Sequence, residues 1–561
     1  MATRISAVTF TPATDAIAGS LTASALVGLA PLLTFFVLLA GFKLKAWYSG
    51  LGALVVALVV AIIGFDMPAP LAGLSALQGI TFGLFPVMWI VITAIWFYEL
   101  TVVSGRFEDL RRIFNSIGHG DMRIQAMLIA FCFGGMLEAL AGFGAPVAIS
   151  AAMLLAAGMA PLKAACTSLL ANTAPVAFGA MGAPILALAG VTGLPLDDLS
   201  AMAGRQTPFV AAVVPMVMVF LVDGRRGVRQ TWPVAVVAGL TFGLAQFVTA
   251  NYLTVELTDV VAAIVTVGAV LGMLKVWQPG ERLVATPDSA LAAPVGAGTG
   301  VGIAAPPSRF DGYSRTRRTL LALAPYLTII AIFTAAQIPV VKAWLGEIGT
   351  VSFRWPGLDI VDVDGTPLAA QTFKLDHLKA TGTLLLLAGA LTAAMYGIGV
   401  RRAVRAYVDT LVQLRWTVVT VTSVLALAFV MNLSGQTAGL GMALASAGGV
   451  FALVSPLIGW IGVAVTGSDT SSNSLFGVMQ ATAAQQAGLD PVLMASANSS
   501  AGVLGKMLSP QNLSVAVAAV GLAGAEGVVL RRLIGWSLGL LVFLTVVIYL
   551  QSTPVLDWMV P

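Results

Sequence analysis

Hydrophobic positions in this chain run in long unbroken blocks, not in the alternation of a strand or the one-sided stripe of a surface helix. Blocks near 22–40, 49–65 and 80–102 carry at most one charged residue each. Apolar stretches of about 18 residues or more read as membrane-crossing helices. The pattern recurs to the C-terminus. It predicts an all-α polytopic membrane protein of about 12 transmembrane helices. The first block is followed by Lys43 and Lys45, with no small-residue cleavage site. It reads as a retained helix and not as a removable signal peptide.

The polar punctuation between blocks sets the orientation. Lys43 and Lys45, then Arg106, Arg111, Arg112 and Arg123, then Arg225, Arg226 and Arg229 mark successive basic loops. Residues 309–318 and 401–415, with Arg531 and Arg532, continue the series. The positive-inside rule places all of these in the cytoplasm and both termini outside. Glu347, Asp359, Asp362, Asp364 and Asp376 mark an external segment at 337–377.

Composition agrees. Of 561 residues, 58% are hydrophobic and 10% charged, against about 25% charged in soluble domains. The net charge of +4 comes from the loops, so it reports topology and implies no nucleic-acid partner. Cys132 and Cys166 lie in apolar runs and read as small packing residues. His119 and His377 are too few and too far apart for a metal site. No cofactor is implied. Residues 292–307 are a Gly/Pro/Ala stretch without helical periodicity. The surrounding 279–316 therefore reads as a flexible cytoplasmic linker between two transmembrane halves, 1–278 and 317–561.

Two polar knots interrupt the apolar blocks. The stronger is Gly467-Ser-Asp-Thr-Ser-Ser-Asn473, and the weaker is Leu137-Glu-Ala-Leu-Ala-Gly-Phe-Gly-Ala-Pro146. Polar groups inside a membrane are costly and point to function. The bland alternative is a solvated loop between helices. Each knot is followed by the same spaced pattern, Asn-x6-Gly-x-Met-x2-Pro, at 172–184 and 498–510, as an internal repeat would give. The basic loops then fix the geometry. The first knot tips a hairpin entering from the cytoplasm and returning by Pro161, and the second tips one entering from outside and returning by Gly488. Two re-entrant hairpins in an inverted repeat are expected, with 162–190 and 491–520 as crossings. Residues 436–454 would lie along the outer interface or pack flat. Asn172 and Asn498 could simply bond neighbouring helices, but each is read as opening an interrupted segment, the usual mark of a transporter site.

Helix starts at Pro146 and Ser474 would aim free backbone N–H groups at the protein centre, where they bind anions. Gly142 and Gly144 allow close approach, and Phe143 offers an apolar wall. Asn172, Thr173, Thr470, Ser471, Ser472, Asn473, Asn498, Ser499 and Ser500 supply neutral hydrogen-bonding groups. That chemistry suits a small hydroxylated carboxylate. Asp469, Glu138 and Lys506 are the ionisable groups in or beside the knots. A buried carboxylate could carry a proton with the anion, and Lys506 could pair with substrate, pair with Asp469, or serve as a structural ion-pair partner. Glu138 could instead brace its hairpin by accepting backbone N–H bonds. Arg205 reads as a helix start near the outer surface and Lys163 as a cytoplasmic anchor.

The two knots, with Asn172-Thr-Ala-Pro-Val-Ala-Phe-Gly-Ala-Met-Gly182, Gly505-Lys-Met507, Thr231-Trp-Pro233 and Gln480-Ala-Thr-Ala-Ala-Gln-Gln486, resemble the L-lactate permease family. The resemblance runs from roughly the second helix to the C-terminus. It implies a bacterial inner-membrane symporter of L-lactate, D-lactate, glycolate and related 2-hydroxy monocarboxylates with protons, and no enzyme. The 292–307 linker departs from the family pattern. A sodium-coupled carboxylate transporter is the competing expectation, because oxygen-rich tips could also serve as cation ligands.

Overall fold

The computed structural model describes residues 9–107, 109, 121–140, 142, 144–283, 315–362, 364–368 and 371–561. Phe143, Arg111, Arg112 and the linker core at 284–314 lie outside the described residues.

The long apolar blocks form helices, as expected of segments that must satisfy their own backbone in lipid. In chain order these are α1 (Leu21–Gly41), α2 (Ala46–Gly64), α3 (Ala69–Val103), α4 (Met122–Leu140), α5 (Ala145–Ala156), α6 (Pro161–Ala171), α7 (Gly179–Thr192), α8 (Leu196–Tyr252) and α9 (Val255–Val276). The second half contributes α10 (Arg315–Gln337), α11 (Pro339–Gly349), α12 (Thr381–Met395), α13 (Val400–Ser434), α14 (Gln436–Ala445), α15 (Phe451–Thr466), α16 (Asp469–Gln486), α17 (Pro491–Lys506), α18 (Pro510–Ala519) and α19 (Glu526–Gln551). Among the described residues, ten helices are long and apolar enough to cross a membrane. Many present large apolar side chains outward, among them Leu26, Val55, Ile63, Leu244 and Val542, as lipid-facing surfaces do. The chain is a multi-pass membrane protein.

The length of α8 hides a reversal. Gly224, at φ 61° and ψ −150°, breaks it, and the two arms pack against each other. A Cβ at Gly239 would fall 2.3 Å from the carbonyl oxygen of Ala212, and one at Gly204 would fall 2.5 Å from the Ala250 side chain. Small residues allow this approach. The first arm contacts different segments at its two ends. At its far end Lys163 donates to the Val222 carbonyl at 2.8 Å and Arg123 pairs with Asp223 at 3.1 Å. The entrance of α4 thus meets Asp223 and the start of α6 meets the adjacent Val222. At its near end Ser496 donates to Leu199 and Gln206 donates to Leu493, so α17 begins at the opposite side.

Two expectations need correction. The segment at 436–445 does not lie flat on the surface. It is a helix whose Gly441 packs against Thr482 of α16, and whose Gln436 is buried against Gly28 of α1. The segment at 162–190 is interrupted as expected, with a bend of 62° between Pro161–Ala171 and Val176–Thr192, and within the second part Ala180, Met181 and Gly182 all adopt positive φ. The chain is also not wholly helical. Thr350–Arg354 (β1) and Thr372–Asp376 (β2) pair antiparallel in the acidic segment at 337–377, where β-branched and aromatic residues alternate with polar ones.

The two halves interpenetrate. Trp47 stacks on Trp416 with ring centroids 4.6 Å apart, and Asn473 of α16 donates to the Pro184 carbonyl of α7. The start of α16 is thus held by a residue of α7.

Candidate functional site

The second tip is tighter than its sequence suggests. Gly467 ends α15 at φ 75°, a left-handed conformation that favours glycine. Ser468 then caps α16, its hydroxyl accepting from the Ser471 N–H at 3.2 Å. Asp469, Thr470, Ser471, Ser472 and Asn473 are therefore the first turns of a helix. The helix start expected at Ser474 lies five residues earlier, because serine at the cap and aspartate beside the positive helix end stabilise an early start. The first tip follows the same plan. Gly142 (φ 47°) and Gly144 (φ 88°) reverse the chain, and α5 begins at Ala145 with Pro146 in its first turn.

Asn172 ends α6 and opens the break there, as expected. Asn498 does not open one. It sits inside continuous α17, and the second break comes after Lys506, before Pro510. The stretch at 498–502 lacks a proline, and its Gly502 serves close packing: a Cβ there would fall 2.7 Å from Asp469 Oδ1. The second break falls between the glycine and the proline of the shared pattern, at 505–510, and in the first half the left-handed residues Ala180, Met181 and Gly182 fall between the same two positions, at 179–184.

The tips and breaks meet around a cavity of about 30 Å³ lined by Glu138, Gly142, Gly179, Ala180, Ser468, Asp469, Thr470 and Lys506, among others. That is room for one or two waters. Across it Lys506 Nζ donates to Glu138 Oε1 at 2.5 Å. The other carboxylate oxygen, Oε2, accepts from Asn172 Nδ2 at 2.9 Å. Lys506 thus pairs with Glu138 and makes no hydrogen bond to Asp469. Glu138 is held by two side chains where backbone N–H groups were one expectation.

Asp469 lies on the other wall. Its Oδ2 accepts from Ser499 Oγ at 2.5 Å and from Asn473 Nδ2 at 3.4 Å. Its Oδ1 is buried without a hydrogen-bond partner. Behind the wall Asn498 donates to Asn473 Oδ1 (2.9 Å) and Ser472 Oγ (3.3 Å) and accepts from Gln480 Nε2 (3.0 Å). Ser472, Asn473, Asn498 and Ser499 therefore brace the second tip and do not line the cavity. Ser500 Oγ is buried without a partner, and the Thr173 hydroxyl is spent on the Leu170 carbonyl. Gly144 faces Asn512 of α18. Arg205 reaches Asn251 and the Met559 carbonyl, away from the tips.

A second cavity, about 1000 Å³, opens beside Lys43, Lys45, Trp47 and Trp416 and reaches Gly467, Ser468 and Ser471. Gly467 and Ser468 line both spaces, so the second tip separates them.

The sequence reading missed several members. Gln480 fixes Asn498 and also donates to the Ser455 carbonyl at 3.0 Å. Asn512 donates to Ser509 and to the Lys506 carbonyl, closing the second break. Asp259, fully buried, accepts from Gln246, which also donates to the Ala174 carbonyl in the first break. A lone acid at the head of an apolar run was the available signal.

The profile of the L-lactate permease family matches residues 24–555. The L-lactate permease of Bacillus subtilis (strain 168) is 40% identical over 98% of this chain and its own full length. Glycolate permease GlcA of Escherichia coli (strain K12) is 40% identical over 93% of this chain and 94% of its own. The L-lactate permease of the same strain is 38% identical over 97% and 98%. A solved structure, the Alcanivorax borkumensis YdaH transporter, overlaps 82% of this chain and 98% of its own at 14% identity, with a TM-score of 0.29, too low to carry its topology over. On the breadth of the family match and of these identities, the chain is a member of the L-lactate permease family.

Proposed function

We propose that this permease imports L-lactate and related small 2-hydroxy monocarboxylates, D-lactate and glycolate among them, by proton symport across the bacterial inner membrane. The relatives' names supply the substrate class. The observation that carries the reading is the cavity where both tips meet, with one ammonium and two carboxylates on its walls. A lactate anion moving inward alone works against an inside-negative potential at about 2.3 kcal/mol per 100 mV. An accompanying proton removes that cost.

The membrane arrangement follows the charged loops. Twelve crossings are proposed, with α4–α5 and α15–α16 as re-entrant hairpins entering from opposite faces and both termini in the periplasm. The contacts of Arg123 and Lys163 at residues 222–223 support a cytoplasmic mouth for the first hairpin. The contacts of 493–496 at the other end of α8 support a periplasmic one for the second. The halves at 1–278 and 317–561 are tethered by the 279–316 linker. The large cavity beside Lys43 and Lys45 is then a cytoplasmic vestibule, closed from the binding cavity by Gly467 and Ser468. Gly142 and Thr470, with Asn172 acting through Glu138, are the proposed neutral contacts nearest the substrate.

Uptake into proteoliposomes tests this. A pH gradient, acid outside, should drive saturable accumulation of L-lactate in sodium-free buffer, with glycolate competing. Accumulation that follows a sodium gradient and ignores the pH gradient would replace proton coupling with sodium coupling.

A further inference from the structure

We infer that the substrate's carboxylate and the carboxylate of Glu138 compete for one cation, Lys506, and that this competition obliges a proton to travel with each substrate. The inference rests on the symport reading and adds the device that enforces it.

Buried cations are scarce. Among the described residues Arg106, Arg123 and Lys506 are the buried ones. Arg106 and Arg123 are paired with Asp109 and with Asp121 and Asp223, at the basic-loop ends of their helices. Lys506 alone faces the tip cavity. Its ammonium has three N–H donors, and its one hydrogen bond goes to Glu138. Two donors are therefore free for an incoming carboxylate. The pair spans the two halves, with Glu138 on α4 and Lys506 at the end of α17.

With Glu138 ionised, the charge of Lys506 is already balanced. Adding a substrate anion then buries a negative charge without compensation, which is steeply unfavourable. If Glu138 first takes a proton on Oε1, the oxygen that faces Lys506, it becomes neutral and releases the ammonium. Its Oε2 keeps the hydrogen bond from Asn172. The substrate carboxylate then accepts from Lys506. One proton and one anion have entered, and the net charge of the cavity is unchanged. No other bond forms or breaks.

The other acids near Glu138 differ in kind. Asp469 faces it across the cavity, but its partners are neutral, Ser499 and Asn473. Asp259, on α9, which packs against α4, is bonded by Gln246. Neither accepts a hydrogen bond from the cation, and Lys506 acts on Asp469 only through space, so protonating either releases no Lys506 donor to the substrate.

The test is lactate affinity against pH, measured by exchange of radiolabelled L-lactate in proteoliposomes of the full chain. Binding that takes up one proton weakens about tenfold per pH unit on the alkaline limb. The wild type should show that slope. Glu138→Gln should be flat with pH, still exchange, and fail to accumulate lactate on a pH gradient. Asp469→Asn and Asp259→Asn, whatever their affinity, should keep the slope. A sloped, accumulating Glu138→Gln overturns the inference, and so does a slope lost in Asp469→Asn or Asp259→Asn instead. Should Glu138→Gln fail to reach the membrane, the paired variant Glu138→Gln/Lys506→Gln leaves no buried charge alone. It should insert and lose lactate binding at every pH, and near-wild-type affinity in it would equally refute the role of Lys506. A wild type without pH-driven uptake would instead sink the symport reading itself.

Discussion

Gly179→Ala perturbs the site through a single added methyl. Gly179 lies at φ −60° and ψ 159°, a conformation alanine adopts freely, so the backbone pays nothing. The added carbon would lie 2.9 Å from Glu138 Oε1, 3.3 Å from its Cγ and 3.5 Å from its Cδ. The carboxylate is buried and bonded on both oxygens, so it can yield only by loosening its bond to Lys506. A hydrogen bond to a charged group contributes about 1.5–3 kcal/mol, or roughly 10- to 150-fold in an equilibrium. A weakened pair favours release of Lys506, so the variant should bind lactate at alkaline pH better, relative to acid pH, than the wild type does. Crowding by the methyl acts equally at every pH and cancels in that ratio. Exchange assays across pH read the ratio directly. In a Glu138→Gln background the methyl should leave the ratio untouched. If Gly179→Ala keeps the full wild-type pH dependence, the carboxylate is not wedged against this glycine and the pair is not what pH acts on.

The remaining expectations concern the frame. In a cysteine-free background, Ala447→Cys and Gln485→Cys, exposed near the two ends of the second hairpin, should label from the periplasm, and Ala160→Cys and Arg225→Cys from the cytoplasm; labelling of Ala447→Cys and Gln485→Cys from opposite sides would make that hairpin a full crossing. Asn498→Ala removes three buried hydrogen bonds at about 0.6 kcal/mol each in a membrane, so unfolding in detergent should show a loss of about 2 kcal/mol and substrate affinity should fall with the loosened tip. Wild-type stability and affinity would show that this network does not support the tip. Gly505→Ala would place a Cβ 2.2 Å from the Trp460 carbonyl oxygen, whereas Gly535→Ala meets nothing within 4 Å. Overpacking costs about 1–3 kcal/mol, so the first should lower the amount of folded protein in the membrane and the second should not; equal yields would contradict the close packing of α15 on α17.

The membrane class and the two tips were legible because lipid enforces simple rules. Charge-free blocks must be helices, and a glycine-flanked cluster such as 467–473 has no cheap place in an apolar interior. What escaped the reading depended on contacts between distant segments. That Lys506 would meet Glu138, 368 positions away, is set by how α17 crosses α4, and no local pattern encodes it. Asn498 looked like a helix breaker because Ser-Ser-Ala-Gly follows it. In the folded chain those small residues let α15 approach, and the helix runs on. The capping role of Ser468 was readable in principle from Ser468-x-x-Ser471, which places the helix start five residues before the expected Ser474. The strand pair at 350–376 escaped because that segment was read for its charge alone.

The shared pattern also shows where the two halves part company. Gly-x-Met reads Gly179-Ala180-Met181 in one and Gly505-Lys506-Met507 in the other. Four residues before the tip glycine stand Glu138 in one half and Val463 in the other. A frame with two equivalent positions for a charged pair therefore carries one pair, with the acid taken from the first half and the base from the second. One pair gives one site. Because it joins the halves, motion that parts the tips is favourable only when neither charge is left alone in a dry interior. Two states satisfy that condition under the proposed competition. In one the pair is intact and the site empty. In the other Glu138 is protonated and a substrate carboxylate rests on Lys506. A proton without substrate strands the ammonium, and a substrate without a proton strands a carboxylate. The same asymmetry that makes a single site thus also disfavours slippage of either partner alone.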